Sequence, residues 1–382
     1  MPGALANLKV LDLSRVLAGP WASQLLADLG ADVTKVEHPS GDDTRRWGPP
    51  FMLDEQGQDT AESAYFLCTN RNKSSLCIDM STAEGQQQLR DMACEADVLI
   101  ENFKVGGLAK YGLDYDSVAA LNPRLVYCSI TGFGQTGPYK HRPGYDFLVQ
   151  AMGGLMSVTG QPDGEPGAGP QKVGVALTDI MTGLYASVGI LAALKERDVS
   201  GLGQQVDLAL FDVTAATLAN QASNFLVGGQ VPERLGNAHP NIVPYQSFAS
   251  ADGHLIIAVG NDKQFLALLD VLGLLGLKDD ARFSSNAQRV AHRELLIPML
   301  QTVLSGRDKT HWLAVLEQAG VPAGPINRID EVFSDPQLLA RDMVINLPHP
   351  DNAQLQLVGN PIKLSRTPVT YNRPPPRLDE HL

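Results

Sequence analysis

Cysteine is scarce in this 382-residue chain, and its placement excludes several kinds of site. Cys68, Cys77, Cys94 and Cys128 form no CxxC pair and have no histidine nearby in the sequence. This pattern is typical of reduced thiols in a cytoplasmic protein, not of a disulfide framework, a zinc site or a catalytic thiol. The eight histidines are scattered without metal-ligand spacing, so we expect no metal.

Positive charge is also in deficit. The chain has 30 Lys and Arg residues against 42 Asp and Glu, for a formal charge of −12. This balance argues against general nucleic-acid binding and against a polybasic membrane surface. No stretch has the uninterrupted apolar length of a membrane span, and "MPGALANLKV" lacks a signal-peptide core. We therefore expect no nucleic-acid or membrane partner, and an anionic ligand would need a local basic cluster.

The signature motifs of several large enzyme classes are missing. "SRVLAGP" offers no GxGxxG, although Glu37 lies where a ribose-binding acid would lie in a nicotinamide enzyme. The chain also has no GxxxxGK[ST], HExxH or GxSxG. P-loop, zinc-protease and α/β-hydrolase chemistry are therefore unsupported.

The first third of the chain does contain a regular alternation of strand-like and helix-like segments. Apolar runs such as "LKVLDLS", "ADVTKVEH", "DVLIENF" and "LVYCSITGFG" predict strands, and helical patterns separate them. This alternation predicts an α/β fold with a mostly parallel, doubly wound sheet. After Leu194 we expect a long helical stretch, "GQQVDLALFDVTAATLANQASNFLVGG", then a hairpin and three helices in a smaller domain. A proline-rich extended tail follows.

Basic residues recur where the predicted strands end. A doubly wound sheet binds ligands at the carboxyl ends of its strands, so their recurrence in an acidic protein suggests an anion site. The basic residues in these segments are Arg15, Arg45, Arg46, Lys104, Lys110, Lys140 and Arg142.

One carboxylate, Asp179, stands in an otherwise apolar or small stretch, "KVGVALTDIMTGLYASVGILAAL". A strand-like "KVGVAL" precedes it, and a helix starting at Asp179 would have a core-facing stripe. The stripe would consist of Met181, Leu184, Tyr185, Val188 and Leu191. At this corner Asp179 is either a helix N-cap or a nucleophile, and spacing alone leaves both open.

Taken in order, the strand-end segments resemble family III CoA-transferases, also called the CaiB/BaiF family. The segments include "VLDLSRVLAGPWASQLLADLGADVTKVE", "NRNKSSLCIDM", "TGFGQTGPY", "PGYDFLVQAMGG", "RLGNAHPNIVPYQSF" and "AVGNDKQF". The resemblance covers essentially the whole chain. It implies an interlocked homodimer in which each chain has a Rossmann-like large domain and a smaller α+β domain. The implied boundaries are 1–200 for the first part of the large domain, 201–228 for a linker helix, 229–320 for the small domain and 321–382 for a linker and the C-terminal return.

The resemblance also implies an acyl-CoA:carboxylate CoA-transferase with Asp179 as nucleophile, which passes through a mixed anhydride and an aspartyl-CoA thioester. Gly260 and Asn261 match a loop that covers the active site, where N–H groups stabilise oxyanions. The implied CoA-binding residues are Arg15, Val16, His38, Lys73, Asn102, Phe103, Lys110, Lys140 and Arg142. The implied substrate-pocket residues are Leu17, Trp47, Tyr139 and Tyr145.

Two departures from the family pattern bear on the reaction and on the substrate. Tyr145 stands where the 2-methylacyl-CoA racemases have a catalytic histidine, and a tyrosine with a pKa of about 10 is a poor base at neutral pH. Leu17 stands where the formyl-CoA:oxalate branch has a glutamine. We expect a short acyl-CoA donor and a small acid such as oxalate or a short dicarboxylate. The alternatives are a racemase-like or hydrolytic member of the fold and a non-catalytic CoA-binding protein.

Overall fold

The computed structural model describes residues 2–380, which form two compact units. The first unit contains residues 2–155, 172–228 and 335–380, and the second contains residues 156–171 and 229–334. The units differ from the expected boundaries in two respects. Residues 201–228 belong to the first unit instead of forming a separate linker, and residues 156–171 and 321–334 belong to the second.

The elements are numbered in chain order. The strands are β1 (Lys9–Asp12), β2 (Asp32–Glu37), β3 (Phe51–Leu53), β4 (Asp59–Ser63), β5 (Lys73–Cys77), β6 (Val98–Glu101), β7 (Val126–Thr131), β8 (Gln205–Ala209), β9 (Tyr245–Ser250), β10 (Gly253–Ala258), β11 (Ala323–Pro325), β12 (Val344–Asn346) and β13 (Gln356–Val358). The helices are α1 (Ala18–Asp28), α2 (Ala64–Leu67), α3 (Ala83–Glu95), α4 (Tyr115–Leu121), α5 (Asp146–Met152), α6 (Leu177–Ser200), α7 (Leu210–Thr217), α8 (Ala219–Gly228), α9 (Asp262–Leu272), α10 (Asn286–Ala291), α11 (Arg293–Leu304), α12 (Lys309–Gln318), α13 (Ile329–Ser334) and α14 (Pro336–Ala340).

A six-stranded parallel sheet lies at the centre of the first unit, in the order β5-β2-β1-β6-β7-β8. The predicted parallel α/β sheet is therefore confirmed. β8 was not predicted, because its alternation of Val206 and Leu208 with polar residues lies inside a longer apolar stretch that we interpreted as helix. Val206 and Leu208 pack against the core, as the period of two in a strand requires.

The sheet is covered on both faces, because successive residues of a strand point to opposite sides. Val10 and Val98 belong to the core shared with α1 and α6. Their neighbours Leu11 and Leu99 belong to the opposite core, shared with α3 and α4. This arrangement covers the two faces of the sheet and leaves the ends of its strands uncovered.

The strand order reverses between β1 and β6. The chain runs outward from β1 through β2 to β5, and then returns to β6 on the other side of β1. The loops that follow β1 and β6 consequently diverge, and the crevice between them is where doubly wound sheets bind ligands.

Helix α6 differs from its sequence prediction in its start and in its buried face. Residues 172–176 form no strand, and the helix begins at Leu177. Its buried face consists mainly of small residues such as Gly183 and Ala186, whereas Leu184, Tyr185 and Val188 of the expected core stripe are exposed. α6 lies close to α1, since a Cβ at Gly183 would lie 2.7 Å from the Ala18 carbonyl oxygen.

By length and composition alone, α6 is apolar enough to cross a membrane, which corrects the expectation that no stretch reaches that length. A core helix of a soluble protein meets the same criterion, and α6 packs against α1, β7 and β8. The feature is therefore weak evidence for a membrane span.

The second unit contains an antiparallel sheet in the order β11-β10-β9 packed with helices α9 to α12. The predicted hairpin is β9 and β10, joined at Ala251 and Asp252. The C-terminal segment packs on the first unit, where Arg71 donates to the Val358 carbonyl at 2.8 Å and the Ser75 N–H donates to the Glu380 carbonyl at 2.8 Å.

Candidate active site

A cavity of about 720 Å³ opens in the first unit at the carboxyl ends of the parallel strands. The residues after β1, β2, β6 and β7 line it, and Asp179 of α6 contributes to its wall. Twelve of the predicted site residues share this cavity. They are Arg15, Val16, Leu17, His38, Trp47, Asn102, Phe103, Lys110, Lys140, Arg142, Tyr145 and Asp179.

Cationic and ionisable basic side chains surround the cavity. Arg15, Lys110, Lys140 and Arg142 line it with His38, and so do Lys104 and His141, which the site prediction did not include. Such a concentration in a chain of net charge −12 suits a ligand with several phosphates.

The turn after β1 has a strained backbone. Val16 has a φ of 71°, a region that a β-branched residue rarely adopts. The Val16 N–H donates to an Asp42 oxygen at 3.3 Å, and Asn102 accepts from the Arg15 N–H at 2.9 Å and donates to the Arg15 carbonyl at 2.6 Å. Asn102 therefore ties the loop after β6 to the turn after β1, and these contacts hold the strained residue in place.

Beneath this turn lies a buried ion pair. The Lys35 ammonium donates to Asp42 at 2.9 Å and to the Ser14 carbonyl at 2.9 Å. Burial opposes charge on both groups, but their pairing lowers the pKa of Asp42 and raises the pKa of Lys35. The floor of the cavity thus contains a lysine and an aspartate that neutralise each other's charge.

Asp179 is the third residue of α6 and not its N-cap. The N-cap position is Ala176, which has no side chain able to accept a hydrogen bond from the first turn. Burial, and secondarily the Asp146 carboxylate, raise the pKa of Asp179 to about 7. The start of a helix favours the charged form of an acidic side chain, and the burial of Asp179 acts in the opposite direction.

The polar surroundings of Asp179 come from two residues that the sequence prediction missed. Asp146 of α5 accepts from the Thr178 N–H at 2.8 Å and from the Asp179 N–H at 3.4 Å. Burial, and then the charge of Asp179, raise the pKa of Tyr65 to about 12, so this phenol stays neutral beside the carboxylate. Tyr65 also packs edge-on against Trp47, with ring centroids 5.2 Å apart.

Comparison with known proteins decides the family. A sequence model described as CoA-transferase family III matches residues 5–382. The chain belongs to CoA-transferase family III.

Curated and solved relatives match along nearly the whole chain. Succinate–glutarate CoA-transferase of Agrobacterium fabrum is 52% identical over 99% of this chain and 93% of its own length. Succinyl-CoA:glutarate CoA-transferase of Mus musculus is 41% identical over 99% of this chain and 84% of its own length. The crystal structure of a CaiB/BaiF family protein from Brucella suis superposes with a TM-score of 0.87 at 50% identity, covering 100% of this chain and 98% of that one.

The expected family and enzyme class are thus confirmed. CoA-transferases use CoA thioesters as substrates, and the diphosphate and 3′-phosphate of CoA match the charge of the cavity lining. Among residues 2–380 no cluster of His, Cys, Asp and Glu with metal-binding geometry is found.

Lys73 was predicted to contact CoA, but in this CoA-transferase it does not line the cavity. Its ammonium group is buried and donates to Asp12 at 3.2 Å, to the Pro20 carbonyl at 3.0 Å and to Asn70 at 2.8 Å. With three acceptors for its three N–H groups, Lys73 has no donor left for a phosphate. Its position does not support the predicted contact, which stays a prediction, and its three bonds give Lys73 a structural role.

Tyr139 is also absent from the cavity lining. The Arg142 guanidinium lies 3.9 Å from the centroid of the Tyr139 ring, so Tyr139 supports a cavity residue from behind. Its predicted place in the substrate pocket stays a prediction that the cavity lining does not support.

Gly260 and Asn261 belong to the second unit, where they form the start of α9. The Asn261 side chain caps this helix by accepting from the Gln264 N–H at 3.0 Å, and the Gly260 N–H donates to the Gln264 side chain at 2.8 Å. Their contribution to catalysis stays a prediction.

Lys104 was identified among the basic residues at the strand ends, in "ENFK", but was not included among the implied CoA-binding residues. His141 lies between two predicted cations and could have been included with them. Asp146 and Tyr65 had no such signal, since they are 33 and 114 positions from Asp179 in the sequence.

Proposed function

We propose that this CoA-transferase moves CoA from a short acyl-CoA to a small dicarboxylic acid, with Asp179 as the covalent nucleophile. One observation above all supports this role. In the described part of the chain the Asp179 carboxylate makes no hydrogen bond or ion pair, although Asp179 is half-buried and lines the cation-rich cavity. A carboxylate that is partly withdrawn from water and has no partner is costly, and functional sites are where such groups occur.

The exchange proceeds in four balanced steps. An ionised Asp179 oxygen attacks the donor thioester carbonyl, the C–S bond breaks, and CoA thiolate leaves a mixed anhydride. The thiolate attacks the aspartyl carbonyl, which releases the donor carboxylate and leaves an aspartyl-CoA thioester. The acceptor carboxylate then attacks this thioester and expels CoA thiolate. The thiolate finally attacks the acyl carbonyl of the new anhydride, which forms the product thioester and frees Asp179.

The electrostatics of Asp179 suit this sequence. A pKa of about 7 makes the carboxylate more basic than an ordinary aspartate while a substantial fraction is still ionised at neutral pH. A substrate that fills the cavity displaces the water that would otherwise hydrolyse the anhydride.

The choice of a dicarboxylic acid is supported by the relatives. The two curated relatives reported above are named for succinate or succinyl-CoA and for glutarate. Leu17 is buried and has no polar group, so the cavity wall at this position favours a substrate with an apolar chain over oxalate, which has none.

Exchange assays test this function. We expect the protein to form glutaryl-CoA from succinyl-CoA and glutarate, and Asp179→Asn to lower kcat by at least about 1,000-fold because an amide is a poor nucleophile. Asp198→Asn, at the exposed end of the same helix, is the matched control and should retain the wild-type rate. Inversion of a 2-methylacyl-CoA without an acceptor acid would favour a racemase instead, and release of CoA without an acceptor would favour a hydrolase.

We also propose the interlocked homodimer that the family resemblance implies. The exposed stripe of α6 supports it, since Leu184, Tyr185 and Val188 are 40%, 44% and 64% exposed in the single chain. Leu226 and Val227 of α8 are exposed as well, at 79% and 89%. Exposed large apolar side chains grouped in this way are typical of a subunit interface. A cytoplasmic location stays a prediction from the four free thiols.

A further inference from the structure

The N-cap residue of α6 cannot satisfy the backbone N–H groups of the first turn. The first turn of a helix has N–H groups without intrahelical partners, and an N-cap side chain usually accepts from one of them. Ala176 at the N-cap cannot do so. An acidic residue in the third position, where Asp179 lies, commonly folds back to bond the N-cap N–H, which would occupy the carboxylate.

Asp146 satisfies this turn from a different helix. One of its oxygens accepts from the Thr178 and Asp179 N–H groups at 2.8 and 3.4 Å. The other oxygen accepts from the Gln150 side-chain amide at 2.7 Å. Asp146 does not line the cavity, so it acts on the turn and not on a ligand.

Gln150 hydrogen-bonds both to Asp146 and to the segment that precedes α6. Its side chain is fully buried, one turn after Asp146 on α5. Its amide oxygen accepts from the Val173 N–H at 2.9 Å, and its amide nitrogen donates to the Val175 carbonyl at 3.4 Å. Gln150 thereby joins Asp146 to the segment that leads into α6.

We propose that Asp146 and Gln150 are positioning residues for Asp179: they cap α6 from outside, and so leave the Asp179 carboxylate unbonded and directed into the cavity. The inference rests on the proposed function, because it concerns the aim of the proposed nucleophile. It assigns a role in catalysis to two residues that touch no substrate.

The charge of Asp146 adds a second effect. Asp146 on α5 and Tyr65 on α2 are the titratable groups whose charges couple to Asp179, and Tyr65 is neutral at physiological pH. After burial, the Asp146 carboxylate is what raises the pKa of Asp179. Removing that charge should lower the pKa of Asp179 and move the onset of activity to lower pH.

Three variants separate these effects. Asp146→Ala removes the acceptor, and we expect kcat to fall about 10- to 100-fold while KM for the acyl-CoA changes less than about threefold, because misaiming a nucleophile affects the transition state more than binding. Asp146→Asn retains an oxygen that can accept the two N–H groups but loses the one that accepts from Gln150, so it should recover part of kcat and shift the pH profile downward. Gln150→Met should lower kcat without that shift.

Asp335 supplies a matched control for the loss of a cap. It accepts from the Gln337 and Leu338 N–H groups at 2.8 and 3.3 Å at the start of α14, nearly the same geometry as Asp146. Asp335→Ala should lower Tm slightly and leave kcat and the pH profile unchanged. A kcat for Asp146→Ala within twofold of wild type, or an equal loss in Asp335→Ala, would overturn the proposal.

Hydrogen exchange tests the cap independently of activity. In Asp146→Ala, peptides covering residues 173–182 should exchange faster than in wild type, and peptides from α14 should not. Unchanged exchange in 173–182 would contradict the capping role even if kcat fell. If the wild-type protein transfers no CoA, the proposed function fails, and this exchange measurement alone decides whether Asp146 caps α6.

Discussion

At the residue scale, the titration of Asp179 should control the first chemical step. Only the ionised carboxylate attacks, and its pKa is about 7, so the rate of CoA release in a single turnover should rise with pH and level off above that value. The rise should be centred near pH 7, well above the range of an ordinary aspartate. Stopped-flow measurement of free thiol at several pH values checks this. A rate that is constant from about pH 5.5 to 8 would show that Asp179 ionisation does not limit attack.

Substitutions of two adjacent arginines should differ in their effect on stability. Arg45 is buried, donates to Glu37 and Glu62 at 2.7 to 2.8 Å, and lies over the Phe66 ring. Arg45→Met would leave two buried carboxylates unpaired, and we expect a loss of about 3–5 kcal/mol in the free energy of unfolding. Urea denaturation measures it.

Arg46 is the matched control, because its side chain is 60% exposed and, among residues 2–380, hydrogen-bonds only to Asp43 and the Ser40 carbonyl. Arg46→Met should leave the unfolding midpoint nearly unchanged. Equal effects of the two substitutions would contradict the structural role given to Arg45.

At the scale of elements, the contact of α6 with α1 depends on Gly183. A Cβ there would lie 2.7 Å from the Ala18 carbonyl oxygen and 3.0 Å from the Trp21 ring, so Gly183→Ala should destabilise the protein by about 1–3 kcal/mol despite the better helix propensity of alanine. Thermal or urea unfolding measures the change.

Gly228 in α8 has nothing within 4 Å of the corresponding position. Gly228→Ala should therefore be neutral or slightly stabilising. A stabilised Gly183→Ala protein would show that α1 and α6 are less closely packed than described.

The sequence predicts an element well where its pattern has one physical cause. Apolar runs such as "DVLIENF" mark strands that are buried on both faces, and the cavity follows because parallel strands end at one edge. The pattern of α6 does not have a single cause, because its large apolar residues face outward and its small residues face α1. The apolar period of a helix indicates which residues avoid water. It does not indicate whether the core of the same chain or the surface of another subunit covers them.

The prediction of site residues is limited in the same way. Cations at strand ends could be placed because the sheet topology brings them together. Lys73 could not be distinguished from them, since its partner Asp12 is 61 positions away and its burial depends on the assembled sheet. Asp146 was hidden for the same reason, although it follows Tyr145, which was identified.

At the scale of the whole molecule, the exposed stripe of α6 predicts association. Light scattering should give twice the 41.0 kDa mass of the chain. Val188→Asp puts a charge in the middle of the stripe and should shift the mass toward that of the single chain, because burying an unpaired carboxylate is costly.

Val199 on the same helix is the control, since it is 86% exposed and lies among the solvated charges of Lys195 and Asp198. Val199→Asp should leave the mass unchanged. A wild-type protein that is monomeric at micromolar concentration would contradict the proposed dimer.

Chemical trapping shows whether Asp179 forms a covalent intermediate. The protein is incubated with succinyl-CoA, quenched with hydroxylamine, digested, and analysed by mass spectrometry for a hydroxamate. The account predicts modification at Asp179 and none at Asp146, whose carboxylate is occupied by N–H donors. Turnover of succinyl-CoA and glutarate without any modification of Asp179, or with the hydroxamate at another residue, would contradict it.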